Sequence, residues 1–182
     1  NNYVLGAPEL VLRKDYDQCR DEVQKYAGKG YRVLLFGKYE GELDGERLRD
    51  KVIPYGYILL ANPIRQEAPE TFAYFAEQGV DVKVISGDNP LTVSEVAKEA
   101  GIKNADRYID ASTLRTEEET AEAIAEYTVF GRVTPAQKRQ FVQALKAQGR
   151  TVAMTGDGVN DVLALKDADC SVAMASGSDA AV

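Results

Sequence analysis

Residues 155–161 place two carboxylates and an amide in a glycine-rich turn. Asp157 is flanked by glycines, and Asn160 and Asp161 follow it and open a predicted helix. Carboxylate and amide oxygens suit a hard cation such as Mg²⁺, and glycines let backbone N–H groups approach an anion. A plain strand-to-helix turn with a polar N-cap explains an isolated Gly-Asp-Gly about as well. The density of such groups over this long segment favours a metal and anion site.

Two other segments offer groups that could hold phosphoryl oxygens. Ser86, Gly87 and Asp88 follow an apolar run, where a hydroxyl and a glycine N–H at a helix start can bind phosphate. A plain helix N-cap explains this segment better when it is taken alone. Lys138 lies about one turn into a helix that begins at Pro135, so its ammonium could neutralise a phosphoryl group. A single surface lysine, however, is usually only solvated.

The elements around these groups alternate regularly from residue 66 onwards. Short apolar segments alternate with helical segments, and this order predicts βαβ units around a parallel sheet. The carboxyl ends of parallel strands meet at one edge, where ligands bind. A hydroxyl, a lysine and paired acids, each after a separate strand, therefore predict a phosphoryl-transfer site. The predicted strands are 82–85, 107–109, 128–130, 151–154 and 170–173, and the predicted helices are 69–78, 90–100, 117–126 and 135–148.

Residues 1–61 follow a different pattern. The predicted strands are 3–5, 31–37 and 57–60. A helical pattern starts at about residue 9, a second predicted helix spans 20–27, and residues 40–50 are predicted to form a polar loop with one helical turn. Pro63 then interrupts the chain, because proline removes a backbone donor and biases the preceding residue towards an extended conformation.

Composition limits the classes of function. The 182 residues suffice for one ordinary domain or two small ones. A formal charge of −7 argues against a nucleic-acid surface, and the absence of histidine excludes imidazole catalysis and ligation within this chain. Cys19 and Cys170 form no C-x-x-C pair and are expected to be free thiols in a reducing compartment. No apolar run approaches the ~20 residues that span a bilayer.

The segment 155–161, with the Ala-Leu-Lys-x-Ala-Asp that follows, resembles the hinge signature of P-type ATPases, the ion pumps of the haloacid dehalogenase superfamily. Val-Ile-Ser-Gly-Asp-Asn at 84–89 and Val-Phe-Gly-Arg-Val-Thr-Pro-x-x-Lys at 129–138 match the same family in the same order. Soluble phosphatases of the superfamily usually match only the Gly-Asp and Asn-Asp core. The resemblance therefore points to the pumps.

The first third of the chain resembles the same family. Gly6-Ala7-Pro8-Glu9 and the segment 30–34 resemble the later half of the nucleotide-binding domain, and Asn62-Pro63-Ile64-Arg65 resembles the hinge Asp-Pro-x-Arg. The resemblance implies an α/β fold: a doubly wound parallel sheet of the haloacid dehalogenase type, with part of a smaller α+β nucleotide-binding domain. Residues 1–61 would be that partial domain, residues 62–65 the hinge, and residues 66–182 an incomplete phosphorylation domain.

The resemblance also implies roles for the residues of the phosphoryl-transfer site. Asp157 would be a Mg²⁺ ligand, and Asn160 and Asp161 would complete the metal and phosphate network, with Asp161 as a second metal ligand. Lys138 would offset the charge of the phosphoryl group. Ser86 and Gly87 would hold its oxygens, with Asp88 nearby.

For the nucleotide, the resemblance implies that Gly6, Ala7, Arg32, Asn62 and Arg65 belong to the ATP-binding region. The cofactors would then be Mg²⁺ and ATP. The partners would be ATP, the remaining domains of the same pump and a cation bound in membrane helices, with no nucleic acid. The expected location is the cytoplasmic side of a membrane, and the ion itself cannot be read from these residues.

The sequence departs from the family pattern in three places. The phosphorylated Asp of Asp-Lys-Thr-Gly-Thr has no counterpart here, because Asp50-Lys51 continues differently. Leu5 stands where the family has the Lys of Lys-Gly-Ala, and Asn62 replaces the hinge Asp. We therefore expect a fragment that forms no phosphoenzyme alone and binds ATP with a Kd in the millimolar range or weaker, on the order of −4 kcal/mol.

Two alternative functions stay open from the sequence. A soluble phosphatase of the haloacid dehalogenase type would need its own nucleophilic aspartate after an N-terminal strand, and residues 1–61 offer none in the family's context. A non-catalytic binding fragment would keep the fold without turnover. The complete set of acid, lysine and hydroxyl groups argues against a degenerate site in the parent protein.

Overall fold

The structure is a computed structural model that describes residues 2–41, 48–61 and 63–174. It divides into two compact units, residues 1–68 and residues 69–182. This division lies close to the hinge predicted at residues 62–65. Within the described ranges, no helix has the length and apolar character needed to cross a bilayer.

The first unit is an antiparallel three-stranded sheet with short helices connecting its first two strands. Strand β1 pairs with β2, and β2 pairs with β3, so β3 is an edge strand. The elements are β1 (Asn2–Gly6), α1 (Pro8–Leu12), a 3-10 helix (Arg13–Gln18), α2 (Arg20–Ala27), β2 (Arg32–Tyr39) and β3 (Val52–Leu60).

Strand alternation gives this sheet one packed and one open face. The packed face lies against α1, with Val11, Leu12 and Leu35 in one buried cluster. Phe36 lies on the opposite face and stacks on Tyr3, with ring centroids 5.7 Å apart. The first unit therefore has an exposed aromatic surface of its own.

The second unit alternates strands and helices, as the sequence predicts. The elements are α3 (Ala68–Glu77), β4 (Val84–Ile85), α4 (Pro90–Glu99), β5 (Tyr108–Asp110), a 3-10 helix (Ala111–Thr113), α5 (Glu117–Glu126), β6 (Val129–Gly131), α6 (Pro135–Ala147), β7 (Ala153–Gly156), a 3-10 helix (Val159–Asp161), α7 (Val162–Asp167) and β8 (Cys170–Ala173).

All strand pairs in the described part of the second unit are parallel. Strands β4, β6 and β5 form a three-stranded sheet in that order, and β7 and β8 form a second pair. Strands β4 and β7 are not hydrogen-bonded to one another in the described ranges. The parallel sheet predicted from the sequence is therefore present in two pieces.

The core lies on both faces of the central strand β6. Phe130 packs on Phe141 of α6, with ring centroids 4.6 Å apart, and both side chains are fully buried. The neighbouring Val129 packs with Val93 and Ala97 of α4. Because adjacent strand residues point to opposite faces, the sheet is covered on both sides, as in a doubly wound α/β fold.

Most predicted elements are present with bounds shifted by one or two residues, as in β7, which spans Ala153–Gly156 rather than 151–154. Two further differences have a clear structural form. Strand β3 begins at Val52 rather than residue 57, since Pro54 is tolerated on an edge strand, next to a register shift. The segment predicted to open a helix at Asn160 and Asp161 is a 3-10 helix, and α7 starts at Val162.

Candidate active site

Helix α6 directs Lys138 to the turn after β7. Thr134 caps this helix in a capping box with Gln137, and Pro135 occupies its first turn. One turn into the helix, Lys138 Nζ forms an ion pair with Asp161 Oδ1 at 2.6 Å. The side chains are only 17% and 6% exposed. The sequence predicted that these two residues, from separate segments, belong to one site. The structure brings them into direct contact.

The carboxylate of Asp161 is held on both oxygens. Oδ2 accepts a hydrogen bond from the backbone N–H of Gly158 at 3.2 Å. Gly156 lies directly beneath this carboxylate, because a Cβ at that position would come within 2.9 Å of Asp161 Cγ. A side chain at residue 156 would therefore displace the carboxylate from its partners.

Opposing effects act on the pKa of Asp161. Burial raises the pKa, but the hydrogen bond and charge of Lys138 and the N–H groups of Gly158 and Asp157 lower it more. The net pKa lies below the ordinary aspartate value, so Asp161 is held as a carboxylate.

Asp157 and Asn160 present their side chains outwards from the same turn, since both residues are exposed. In the ranges the structure describes, no cluster of three or more acidic, Cys or His residues could enclose a metal ion. An open site of one or two carboxylates still suits Mg²⁺, which keeps several waters and shares its coordination with substrate phosphates. The oxygen donors of this turn therefore fit Mg²⁺.

The Ser86–Asp88 loop is fixed by the end of β6. Ser86 N donates to Phe130 O at 2.9 Å, and Val133 N donates back to Ser86 O at 3.0 Å. Ser86 Oγ accepts the N–H of Asp88 at 3.1 Å, which closes the turn. A Cβ at Gly87 would meet nothing closer than 3.9 Å, so there is open space beside this glycine where an anion could lie.

Asn89 supplies the cap of helix α4. Its Oδ1 accepts from Leu91 N at 2.9 Å, and Pro90 begins the helix. The N-cap explanation of this segment is therefore correct for Asn89. The hydroxyl of Ser86 and the N–H of Gly87 are not part of that cap.

Arg132 and Asp110 belong to the same edge, although neither was predicted as a site residue from the sequence. Arg132 Nη1 pairs with Asp110 Oδ2 at 2.6 Å, and Arg132 N donates to Asp88 O at 2.8 Å. Asp110 ends β5 and also accepts two hydrogen bonds from Ser112. Arg132 thus connects the ends of β4, β6 and β5.

The backbone around Arg132 is unusual. Arg132 has a φ of 53°, a left-handed conformation that is unfavourable for a residue with a Cβ. A Cβ at Gly131 would overlap Pro90, so only glycine fits there. The only sequence signal was the glycine before Arg132, which marks a close backbone approach without showing what Arg132 contacts.

The structure thus brings the predicted site residues together in two groups, one at the Ser86 loop and one at the Lys138–Asp161 pair. A single short segment contacts both groups. Residues 131–138 run from the end of β6, beside the Ser86 loop, into helix α6, which holds Lys138 against Asp161. All of these groups follow the carboxyl ends of parallel strands, where a doubly wound sheet binds ligands.

The candidate nucleotide residues lie in the first unit. Arg32 and Leu5 share the open face of the sheet, since Leu5 pairs in register with Phe36 of the same face. Gly6 instead packs inwards, where a Cβ would meet Val11 at 3.1 Å. Ala7 accepts two hydrogen bonds at the start of α1 through its carbonyl. Gly6 and Ala7 therefore shape the strand-to-helix turn.

The hinge residues are only partly described. Arg65 is exposed, and its carbonyl accepts the N–H of Ala68 at 3.0 Å. Asn62 lies outside the described residues.

Comparison with known sequences identifies the family to which the chain belongs. The profile of haloacid dehalogenase-like hydrolases matches residues 3–169, which is most of the chain. The chain belongs to this family. The two-sided packing of β6 and the polar groups at the carboxyl edge agree with that assignment.

The sequences of individual relatives show which members of the family this chain resembles. The chain is 46% identical over 180 residues to the calcium-transporting ATPase CtpE of Mycolicibacterium smegmatis, covering 98% of this chain and 22% of the relative. It is 42% identical to the probable cation-transporting ATPase exp7 of Streptococcus pneumoniae, covering 97% and 22%. It is 33% identical to magnesium-transporting ATPase, P-type 1, of Salmonella typhimurium, covering 95% and 19%.

The haloacid dehalogenase fold and the resemblance to P-type cation-transporting ATPases, both expected from the motifs, are confirmed by these matches. The chain spans about a fifth of the length of these relatives, since it covers 22% of the first of them.

Proposed function

We propose that this chain is the phosphorylation domain, with part of the nucleotide-binding domain, of an ATP-driven cation pump. The buried ion pair between Lys138 and Asp161 is the single observation that supports this most directly. It lies at the carboxyl edge of a haloacid dehalogenase-like domain, where phosphoryl chemistry takes place. The relatives, which are named as cation-transporting ATPases, support the same proposal.

In this proposal Lys138 neutralises developing charge on the phosphoryl group. Asp161 keeps the ammonium in place, because both of its carboxylate oxygens already accept hydrogen bonds. This makes Asp161 mainly a positioning residue for Lys138 and a weaker candidate for direct metal ligation than the sequence implied. Preorganised charge of this kind is usually the largest contribution to phosphoryl transfer.

Asp157 and Asn160 are the groups that would hold Mg²⁺, which supplies charge neutralisation to the phosphoryl oxygens when it is bound. The N–H of Gly87 and the hydroxyl of Ser86 would receive phosphoryl oxygens on the other side of the site. Asp88 would stay close to them, because its carbonyl is tied to Arg132.

The nucleophilic aspartate would come from a part of the pump outside these 182 residues, since the chain has no Asp-Lys-Thr-Gly-Thr. In this proposal the strand that brings it to the site would lie between β4 and β7, which are not paired with each other in the described residues. The isolated chain would therefore hold the charged groups of the site and catalyse no turnover.

ATP would lie on the open face of the first unit's sheet. Arg32 offers a cation there, and the aromatic rings of Tyr3, Phe36 and Tyr55 offer a stacking surface, with centroid separations of 5.7–6.3 Å. Leu5 supplies no charge, so binding by this chain alone would be weak. The intact protein would be membrane-bound with this portion on its cytoplasmic side, and its other domains would bind the transported cation.

The test uses the longer protein that contains this chain, in membrane vesicles. Lys138→Met is expected to reduce cation-stimulated ATP hydrolysis by about 100-fold or more, because a preorganised charge at the phosphoryl group is lost. Lys146→Met, on the same helix but in an exposed ion pair, is the matched control and should keep nearly full activity. Equal activity in both variants would contradict the proposal.

The soluble-phosphatase alternative is tested with the 182-residue chain itself. The proposal predicts no Mg²⁺-dependent hydrolysis of para-nitrophenyl phosphate above background. Turnover that is lost in Asp157→Asn would instead establish a self-sufficient phosphatase.

A further inference from the structure

The amino edge of the three-stranded parallel sheet has a polar cavity that the site above does not use. Lys83, Arg107 and Thr128 each lie immediately before one of its strands, and so share the edge opposite the Ser86 loop. Backbone bonds fix them there, since Val84 N donates to Thr128 O at 2.9 Å and Thr128 N donates to Arg107 O at 2.9 Å.

The cavity has a volume of about 350 Å³. The side chains of Phe72 and Ala76 from α3 line it, as do Lys103 and Asn104 from the turn after α4. Its volume is near the lower end for ligand pockets, which suits a single small polar group.

Positive charge converges on this cavity. Lys83 is half-buried, and its Nζ donates to Tyr127 O at 2.6 Å. Burial lowers the pKa of Lys83, and the charges of Arg150 and Arg107 lower it further, against the opposing effect of Asp81. Like charges so close together disfavour one another unless an anion lies among them.

Three cations and two carboxylates, Asp81 and Glu126, line the cavity, so its cations outnumber its acids. Over the residues that the structure describes, neither Lys103 nor Arg107 forms an ion pair. Asp81 pairs with Arg150 at 3.7 Å, and both side chains are exposed. Glu126 also lines the cavity, and within the same described residues it makes no ion pair.

We propose that this cavity, which we call the amino-edge cavity, binds the phosphate group of a small anion. The guanidinium of Arg107 can bind two phosphate oxygens at once, and Lys103 and Lys83 add point charges. The phosphate could belong to a free phosphate ester or to the headgroup of an anionic phospholipid. Both sources present the same chemistry to these cations.

The test follows backbone amide NMR signals of the ¹⁵N-labelled chain without Mg²⁺. Inorganic phosphate is one probe, and vesicles of phosphatidylcholine with or without phosphatidylglycerol are the other. The expected result is a saturable shift or broadening of the Asn104, Arg107 and Thr128 signals. The signals of Gly87 and Gly158 report separately on any binding at the opposite, carboxyl edge.

The double variant Lys103→Gln/Arg107→Gln should bind at least about tenfold more weakly, because two charge-assisted contacts are removed. Both residues are exposed, so the variant should fold normally. Lys25→Gln/Lys29→Gln has the same net charge, lies in the first unit and should bind like the wild type. Saturable shifts with phosphate alone identify a soluble phosphate ester, and responses to phosphatidylglycerol vesicles identify a lipid headgroup. No response to either probe, or equal binding by both double variants, would overturn the proposal.

Discussion

At the scale of single residues, the ion pair between Lys138 and Asp161 links the proposed chemistry to the stability of the second unit. Its partners lie on different elements and are largely buried, in contrast to the exposed pairs of the same helix. Removing one member of a buried pair leaves an uncompensated charge, whereas exposed pairs contribute little.

We therefore predict that Lys138→Met destabilises the second unit by about 3 kcal/mol, since the Asp161 carboxylate stays buried without its cation. Lys146→Met, which breaks an exposed pair on the same helix, should cost less than about 1 kcal/mol. Urea unfolding, followed through the NMR signals of residues 69–174, measures both. Equal costs would show that the pair is merely a surface contact.

The lowered pKa of Asp161 has a defined consequence for stability. A carboxylate with a depressed folded-state pKa contributes stability above its ordinary value of about 3.9, and this contribution disappears as the pH falls through the lower folded value. We predict a ¹³C titration midpoint of Asp161 below about 3.9 in the wild type. In Lys138→Met the midpoint should rise above that value, because burial then dominates. An unchanged midpoint would contradict the assigned cause.

In the proposed nucleotide site, Leu5 is the residue expected to limit binding. It lies exposed on the face that also holds Arg32, where the family pattern has a lysine. We predict that Leu5→Lys tightens ATP binding by the isolated chain about tenfold from a millimolar Kd, through a new charge-assisted contact. Leu10→Lys adds the same charge at an exposed position of α1 and is the control. Calorimetry that finds equal affinities would place ATP elsewhere.

At the scale of elements, the bounds of several helices could be predicted, because local sequence signals mark where these helices begin. Helix α5 has its predicted bounds because the Thr116–Glu119 capping box starts it, and α6 starts at Pro135 after the Thr134 cap. The first part of β3 was missed, since Pro54 is typical of loops unless a strand lies at an edge.

Arg132 could not be predicted from its sequence context. Its left-handed backbone is set by the close approach of Gly131 to Pro90, and its partner Asp110 comes from a strand 22 residues earlier. Nothing in the types of these two residues signals such a contact. The pairing of strands β4, β6 and β5 is non-local in the same way. The sequence therefore does not show which strand ends lie next to one another, and the structure does.

The strained backbone gives a test at this scale. Arg132→Gly and Arg132→Ala both lose the ion pair to Asp110, but only glycine adopts a φ of 53° without a Cβ penalty. We predict that Arg132→Gly is about 1 kcal/mol more stable than Arg132→Ala. Asn104, with a φ of 58°, should show the same difference between its glycine and alanine variants. A smaller difference at Arg132 would show that its backbone relaxes.

At the scale of the whole molecule, the proposed function divides the work of a phosphorylation cycle between the two units. In that proposal the first unit offers a sheet face for a nucleotide, and the second gathers a lysine, acids and the Ser86–Asp88 loop at one edge. The sequence motifs predicted most of these residues because each follows a strand directly. The amino-edge cavity had no such signal, since its cations Lys83, Lys103 and Arg107 lie outside the motifs that marked the carboxyl edge.

The most direct test of this account is the phosphoenzyme of the longer protein that contains this chain. With radiolabelled ATP, Mg²⁺ and the transported cation, acid quenching should trap a hydroxylamine-sensitive aspartyl phosphate in the wild type. In Asp157→Asn its formation should fall by about 100-fold, because the proposed Mg²⁺ ligand is weakened; Asp106→Asn, an exposed carboxylate away from the carboxyl edge, should behave as the wild type. A phosphoenzyme that forms at the wild-type rate in Asp157→Asn, or none in the wild type, would contradict the account.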